Sequence, residues 1–557
     1  VTAPTHSPAT DAAVRLLTGL VEHGVRDIVL SPGSRSQALA LAATALARSG
    51  SVRVHVRIDE RVAGFTALGL SRESGAPAAL ICTSGTATAG YLPAAMEAFH
   101  AGVPLILLTA DRPPELRGVG ANQATIQPGM YRPWARLSVD AAVPGDADPE
   151  VFGALAADAV AAAVGAAGEG LDGVAGPVHL NLPFREPLSG ALPDPLRATR
   201  GPLPQPAPGE PVRVGAGLRT LVVAGADAGP DAARIAREGG WPLIAEVVSG
   251  ARVGPHLVPA YRERLHDAAL AGRIQRVVVL GHPTLSREIA ALLRRTDLEI
   301  VAVRRGGERL NPSGAAVDAR TIEVEPGPVD AEWLAAWTAP AGDGSTAGAA
   351  SDGPSAGAAS GGSSAGDAPD GGSSDGPVDR AVLVRAVWAA STAEDRLLFG
   401  SSRIVRVADQ LLDGGDVRVH ANRGLAGIDG TIATCVGIAL AAQAGGEPGT
   451  ARVVLGDLSF LHDVGSLLLP ADEPAPRIQV IVGNDGGGTI FDGLEVAGTA
   501  PAADLDRAFY TPQSVALEPL AAAYGWTYVR AGTVAELEQA LAAEATGPQL
   551  IEVPLAR

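Results

Sequence analysis

The chain has 557 residues, a formal net charge of -18, 46% hydrophobic residues and only 4% aromatic ones. That length is enough for several domains, and the acidic balance argues against nucleic acid or an anionic membrane as a partner. No apolar run could cross a bilayer, and the opening VTAPTHSPAT lacks the charged start and apolar stretch of a signal peptide, so a cytoplasmic protein is expected.

In the first block Val14, Leu17 and Val21 share one helical face, and Asp27–Leu30 reads as a short strand. Helix 36–48, strand 52–57, helix 61–72, strand 77–82, helix 86–100 and strand 103–109 are predicted next. A Pro-rich stretch, 187–211, ends the block. In the middle block strands are predicted near 219–224, 242–247, 275–280, 298–303 and 321–325. Residues 339–379, almost wholly Gly, Ser, Ala, Asp and Pro, read as a flexible linker. The last block has predicted strands near 396–399, 417–421, 452–456, 477–483, 526–530 and 548–553. The predicted domains, 1–186, 212–338 and 380–557, each alternate strand with helix. The expected fold class is therefore α/β, as three tandem doubly wound parallel sheets.

Open parallel sheets bind ligands at the carboxyl ends of their strands. The first and last blocks each place a full set of polar residues there, which suits a ligand clamped between two domains. Gly456 and Asp457 end one predicted strand, and Asp485 with the Gly-rich 486–488 turn follows the next. Two carboxylates and a turn carbonyl are hard oxygen donors of the kind Mg²⁺ takes beside a phosphate. The same residues also suit two ordinary strand-end turns. Glu60 opens an apolar helix; with Asp59 it could simply cap that helix, or it could be a partly buried working acid. Arg35, Arg112, Arg406 and Arg423 lie near strand ends and would form a polyanion site if they converge. The chain has no lysine, which removes Schiff-base and P-loop lysine chemistry. Cys82 and Cys435 read as core residues. The middle block's AGADAGPDAARIA is a loose Gly-rich turn without the dinucleotide fingerprint. His462 is the one histidine near the presumed site.

SPGSRS, RIDERVAGFTALGL, TSGTA and PLILLTADRPPELRGVGANQ in the first block, then SSRIVR, ANRGLAGIDG, GDLSFLHD and NDGGGTIF in the last, resemble in content and order the 2-succinyl-5-enolpyruvyl-6-hydroxy-3-cyclohexene-1-carboxylate synthase family. The resemblance implies pyrimidine-binding, central and diphosphate-binding domains that hold thiamine diphosphate with Mg²⁺ or Mn²⁺. It implies a menaquinone-pathway transferase that decarboxylates 2-oxoglutarate and adds the remaining four-carbon unit to isochorismate. It assigns Glu60 to N1′ of the aminopyrimidine and Ile428 to the wedge that holds the cofactor bent. Asp457, Asp485 and the Gly487 carbonyl are implied metal ligands, and Ser402 and Gly456 line the diphosphate. Substrate contacts implied are Ser34, Arg35, Arg112, Asn122, Gln123, Arg287, Arg406 and Arg423, with Ile490, Phe491 and Leu494 as an apolar wall. A homodimer or homotetramer with shared sites is implied. Two positions depart from the family pattern: Thr489 stands where Gly or Gln is usual, and Gln37-Ala38 replaces a Pro-containing turn.

Other readings remain at this point. An acetohydroxyacid synthase or 2-oxoacid decarboxylase would share the cofactor, but TADRPPEL, GANQ and the arginine set disfavour both. A non-catalytic relative is disfavoured by the intact Glu60, Asp457 and Asp485, and a flavin or NAD oxidoreductase rests only on the weak middle-block turn.

Overall fold

Nineteen strands form among the described residues, and every strand pairing in the sheets is parallel. The structure, a computed structural model, describes residues 6–167, 173–340 and 375–557; of the expected linker, 341–374 lie outside the described residues. The first sheet contains β1 (Asp27–Leu30), β2 (Arg53–Val56), β3 (Ala78–Cys82), β4 (Leu105–Asp111), β5 (Leu137–Asp140) and β6 (Pro177–Pro183). Its order is β2-β1-β3-β4-β6-β5. The middle block contributes β7 (Val212–Val214), β8 (Thr220–Ala224), β9 (Leu243–Ala245), β10 (Arg276–Leu280), β11 (Glu299–Val303), β12 (Val317–Ala319) and β13 (Ile322–Val324). They make a five-stranded sheet, β12-β11-β10-β8-β9, and a two-stranded one, β13-β7. The last sheet holds β14 (Arg396–Phe399), β15 (Arg418–His420), β16 (Ala451–Gly456), β17 (Ile478–Asn484), β18 (Thr527–Arg530) and β19 (Pro548–Pro554). Its order, β15-β14-β16-β17-β19-β18, repeats that of the first sheet strand for strand.

Runs such as β3, β4 and β8 are buried along their whole length because helices cover both faces. The expected strands form, and four more appear: β5, β6, β7 and β12. β6 escaped the apolar-run criterion because His179 and Asn181 interrupt it, although both are fully buried. Thr109 Oγ1 lies 2.8 Å from His179 Nε2, and Asn181 Nδ2 donates to Asp111 Oδ2 at 2.9 Å, so both side chains find partners inside the sheet, although His179 Nδ1 is buried without one among the described residues. The expected helix 86–100 breaks at Tyr91 into Thr86–Gly90 and Leu92–Ala101. Both cysteines are free and buried, as expected, and burial pushes their thiols up, Cys82 to about 12. No helix among the described residues is long and apolar enough to cross a membrane.

The three blocks are joined by buried contacts. The Glu60–Ser74 helix crosses the Thr431–Ala442 helix at Gly69 and Gly437, where backbones touch: a Cβ at Gly69 would lie 2.0 Å from the Thr434 carbonyl oxygen. Glu97 accepts the Gly424 and Leu425 N–H groups at 2.8 and 2.7 Å, tying the first block to the last. Asp409, fully buried on the Arg403–Leu411 helix, accepts from Val247 N–H (2.8 Å), Tyr261 hydroxyl (2.6 Å) and Arg262 (2.9 Å), and pairs with Arg252, all in the middle block.

Candidate active site

Glu60 is the first residue of its helix, directly after β2. The capping role falls to Asp59 alone, whose side chain accepts from the Arg61 and Val62 N–H groups at 2.8 and 3.3 Å. Glu60 is left half-buried, with no hydrogen bond or ion pair to its carboxylate among the described residues. Its backbone is confined: a Cβ at Gly90 would come 2.6 Å from Glu60 Cβ. Arg61 reaches across to the last block and donates to the His462 carbonyl at 3.0 Å. The site-adjacent role considered for His462 thus comes down to this brace; its ring is exposed.

The second corner forms where β16 and β17 end side by side, paired through Gly456 and Gly483. Asp457 opens the Asp457–His462 helix and is 5% exposed. Burial and the neighbouring Asp485 push its carboxyl up to about 6, against backbone N–H donors that include Gly487. Two neighbouring carboxylates in a half-dry corner, of which Asp485 is paired with Arg380, leave negative charge that a cation would balance. Gly487 has φ +137, and a Cβ there would lie 2.3 Å from the Tyr510 carbonyl oxygen, so only glycine fits. Its own carbonyl accepts from Thr489 N–H at 2.9 Å and keeps a second lone pair. A Cβ at Gly456 would meet nothing, which leaves open space above the strand end. Ser402 caps the Arg403–Leu411 helix, accepting from Ile404 N–H at 3.2 Å. Ile428, 37% exposed, stands on the loop before the Thr431–Ala442 helix, whose first N–H groups are held by the buried Asp463, at 2.7 Å for Ile432. Among the described residues no three His, Cys, Asp or Glu side chains group as a metal cage. Two carboxylates and a carbonyl suit a cation that completes its shell with diphosphate oxygens and water.

The arginines resolve into two pairs. Arg35 and Arg112, both nearly buried, lie close enough that burial and Arg112 together hold Arg35 below its usual range. Arg35 Nη1 donates to the Phe184 carbonyl at 3.1 Å, and its buried Nε has no partner among the described residues. Arg112 donates to Ser84 Oγ, and Gln123 Nε2 donates to the Ser84 carbonyl at 2.8 Å, so the 83–86 and 111–123 loops interlock. Ser34 and Asn122 are exposed on the same rim. In the second pair, burial and Arg406 lower Arg423 while Glu246 opposes them. Arg423 donates to Thr284 Oγ1 at 2.9 Å, to the Thr284 carbonyl at 3.2 Å and to Ser401 Oγ at 3.1 Å, so much of it braces the middle block. Arg406 turns back on its own helix, donating to the Ser402 carbonyl at 2.9 Å.

Arg287 is exposed at the start of a middle-block helix and makes no hydrogen bond or ion pair with either pair among the described residues; its Ser286 cap faces the helix, at 3.2 Å from Ile289 N–H. Phe491 packs edge-on against Phe509, 5.2 Å between centroids, beside the half-buried Ile490 and the exposed Leu494. Sequence reasoning passed over Arg117, which pairs with buried Asp111 at 2.9 Å and donates to the Arg112 carbonyl at 3.1 Å, fixing that turn. It also passed over Glu246, which accepts the Thr284 and Leu285 N–H groups at 2.9 and 2.7 Å and so holds the segment that Arg423 grips. The spacing of Arg117 within the arginine-rich TADRPPELRG was the one available signal.

Residues 10–130 match the family described as thiamine pyrophosphate enzyme, N-terminal TPP binding domain. A benzoylformate decarboxylase from Polynucleobacter necessarius has the same fold, with a TM-score of 0.65 at 17% identity over 98% of each chain. The protein is thus of the thiamine-diphosphate-dependent enzyme class. Over 580 residues it is 50% identical to the 2-succinyl-5-enolpyruvyl-6-hydroxy-3-cyclohexene-1-carboxylate synthase of Leifsonia xyli subsp. xyli, covering 99% of this chain and 97% of that one. It is 48% identical, with the same coverage, to the enzyme of that name from Clavibacter michiganensis subsp. michiganensis. The chain belongs to the 2-succinyl-5-enolpyruvyl-6-hydroxy-3-cyclohexene-1-carboxylate synthase family.

Proposed function

We propose that the protein decarboxylates 2-oxoglutarate and transfers the four-carbon unit to isochorismate, giving 2-succinyl-5-enolpyruvyl-6-hydroxy-3-cyclohexene-1-carboxylate and CO₂ in menaquinone biosynthesis. Family membership supports the reaction, and the pairing of arginines is the observation in this chain that carries the substrate class. Arg35 and Arg112 meet at Thr83 and Ser84, and Arg423 and Arg406 at Ser401 and Ser402, and two such groupings of guanidinium groups suit substrates with several carboxylates. Thiamine diphosphate, when bound, supplies the carbon nucleophile and electron sink that decarboxylation of a 2-oxo acid needs.

The chain's residues supply position and charge. Glu60, free of local partners, holds the proton at N1′ of the aminopyrimidine. Ile428 would pack against the bound cofactor. Asp457, Asp485 and the Gly487 carbonyl would hold Mg²⁺ or Mn²⁺ beside the diphosphate, with Gly456 and Ser402 alongside. Arg35 and Arg112, with Ser34, Asn122 and Gln123, would receive one substrate; Arg406 and Arg423 would bind carboxylates at the other end, and Ile490, Phe491 and Leu494 would exclude water. In this reading residues 1–186 form the pyrimidine domain, 212–338 the central domain and 380–557 the diphosphate domain.

The working unit is a homodimer or homotetramer. Within one chain Arg61 ties the Glu60 end to His462, the far end of the helix that Asp457 opens. Exposed apolar residues flank that point, Ile58 at 70% and Leu468 at 45%, which suits coverage by a second copy. Two free, buried cysteines fit a reducing cytoplasm.

The test is a mass-spectrometric product assay with both substrates, cofactor and Mg²⁺, alongside light scattering for the assembly. The proposal expects the stated product from 2-oxoglutarate. Turnover of pyruvate instead, with 2-oxoglutarate inert, would assign the chain to the related decarboxylating enzymes.

A further inference from the structure

Asp485 is held from one side only. Arg380 Nη2 lies 2.6 Å from Asp485 Oδ2, and Thr489 Oγ1 donates to the same oxygen at 2.5 Å. Arg380 Nη2 also reaches Thr489 Oγ1 at 3.3 Å, so the three groups close a triangle. The other oxygen, Oδ1, accepts no hydrogen bond among the described residues. The triangle is not a surface accident. The side chains of Arg380 and Asp485 are 15% and 10% exposed, and Arg380 Nε is buried without a partner among the described residues. Arg380 itself is fixed as the first residue of the Arg380–Ala389 helix, capped by Asp379, which accepts from Val382 N–H at 2.8 Å.

A carboxylate can give a cation one oxygen or two. Mg²⁺ demands near-octahedral geometry and small ligands set singly, whereas Ca²⁺ takes six to eight oxygens and readily accepts a carboxylate through both. Partners that bind one oxygen of a ligand carboxylate orient it and decide which oxygen remains. The geometry points to Arg380 and Thr489 as positioning residues that restrict Asp485 to one-oxygen ligation and so set the site's preference for Mg²⁺ over Ca²⁺. This rests on the reading of Asp457, Asp485 and Gly487 as the cation corner. Thr489, which departs from the family pattern, thereby acquires a role: its hydroxyl occupies the oxygen that a larger cation would claim.

The test measures thiamine diphosphate retention by calorimetry with Mg²⁺ and, separately, with Ca²⁺, in the full-length protein. The variants are Thr489→Val, which keeps shape and removes the hydroxyl, Thr489→Ser, which restores it, and Arg380→Met. Removing a positive charge helps either dication alike, so the ratio of the two affinities isolates the geometric effect. The Mg²⁺ preference is expected to fall roughly ten- to a hundredfold in Thr489→Val and Arg380→Met and to recover in Thr489→Ser. A ratio unchanged in folded Thr489→Val, judged by an unchanged melting temperature, would overturn the proposal. Asp457→Asn separates the two levels. If wild type retains the cofactor without any dication and Asp457→Asn leaves that unchanged, the cation corner itself is wrong and the proposal falls with it. If Asp457→Asn abolishes dication-dependent retention while the Thr489 and Arg380 variants keep the wild-type ratio, the corner stands and only the positioning role fails.

Discussion

Replacing Gly437 by alanine probes the contact on which the relation between the first and last blocks rests. A methyl group at 437 would lie 2.1 Å from the Thr66 carbonyl oxygen, 2.8 Å from the Leu70 nitrogen and 3.0 Å from Gly69 Cα. All three are backbone atoms of the Glu60–Ser74 helix, so no side chain can rotate away. The carbonyl must withdraw from 2.1 Å to an ordinary contact of 3.4 Å, which separates the two helices. Overpacking costs about 1–3 kcal/mol, and backbone on both sides places this site near the upper end. The better helix propensity of alanine returns about 0.5–1 kcal/mol, leaving a net loss of about 2 kcal/mol. Gly153→Ala is the matched control: it lies within the Glu150–Ala163 helix, and a Cβ there meets nothing within 4 Å. That variant should gain about 0.5–1 kcal/mol. Urea unfolding followed by circular dichroism compares them, with turnover measured in parallel because the displaced helix carries Glu60. A Gly437→Ala protein as stable as Gly153→Ala, with normal turnover, would refute the helix contact as drawn.

Glu60→Gln is expected to retain thiamine diphosphate but to lower turnover by at least about 100-fold, since a positioned acid or base contributes about 10²–10⁴; a steady-state assay with a calorimetric binding control checks both. Asp409→Ala should destabilise by roughly 3–5 kcal/mol, because Arg252 and Arg262 lose their shared buried partner; a shift below 1 kcal/mol in urea unfolding would contradict the hub. The third expectation concerns pH. Burial alone would lower the pKa of His55, but Asp27 at 2.9 Å and Glu473 at 3.6 Å on its two ring nitrogens carry it above the ordinary 6.5. A raised folded-state value gives stability that is complete below about pH 6.5 and lost as the pH rises through that raised value. Melting temperature should therefore decline above neutrality in the wild type and less so in His55→Gln; equal slopes would remove His55 as the cause.

Apolar runs made the buried parallel strands legible, since both faces of such strands are covered and the residues say so directly. β6 was not legible, because buried His179 and Asn181 find their partners in Thr109 and Asp111 more than sixty residues earlier, a pairing no local window contains. β5 and β12 are edge strands and β7 belongs to the two-stranded sheet; all three are short and carry exposed positions, so they lack the apolar signal. At the site, strand-end position singled out Asp457, Asp485 and the Gly-rich turn, and of the two acids that could cap the helix only Asp59 does so, which leaves the Glu60 carboxylate without a hydrogen bond among the described residues. The arginines were found one by one, but their grouping into two pairs depends on which loops interlock. That Arg423 also braces Thr284, and that Arg287 stands apart, follows from the middle block's placement, which the sequence does not encode locally. Arg380 was invisible for the same reason: its partner lies 105 residues away.

The matching strand order of the two outer sheets divides labour between halves built to one plan. On the proposed reading, the acid that holds the proton, Glu60, opens the helix after the second strand of the first sheet. On the same reading, the residues that would anchor the diphosphate, Asp457 and Asp485, follow the third and fourth strands of the last sheet. Neither half holds a complete set, so each can keep its own architecture while the chemistry depends on how the halves are aligned. A change far from any reacting atom, at the glycine crossing between them, can therefore silence the enzyme without altering a single group that touches its substrates.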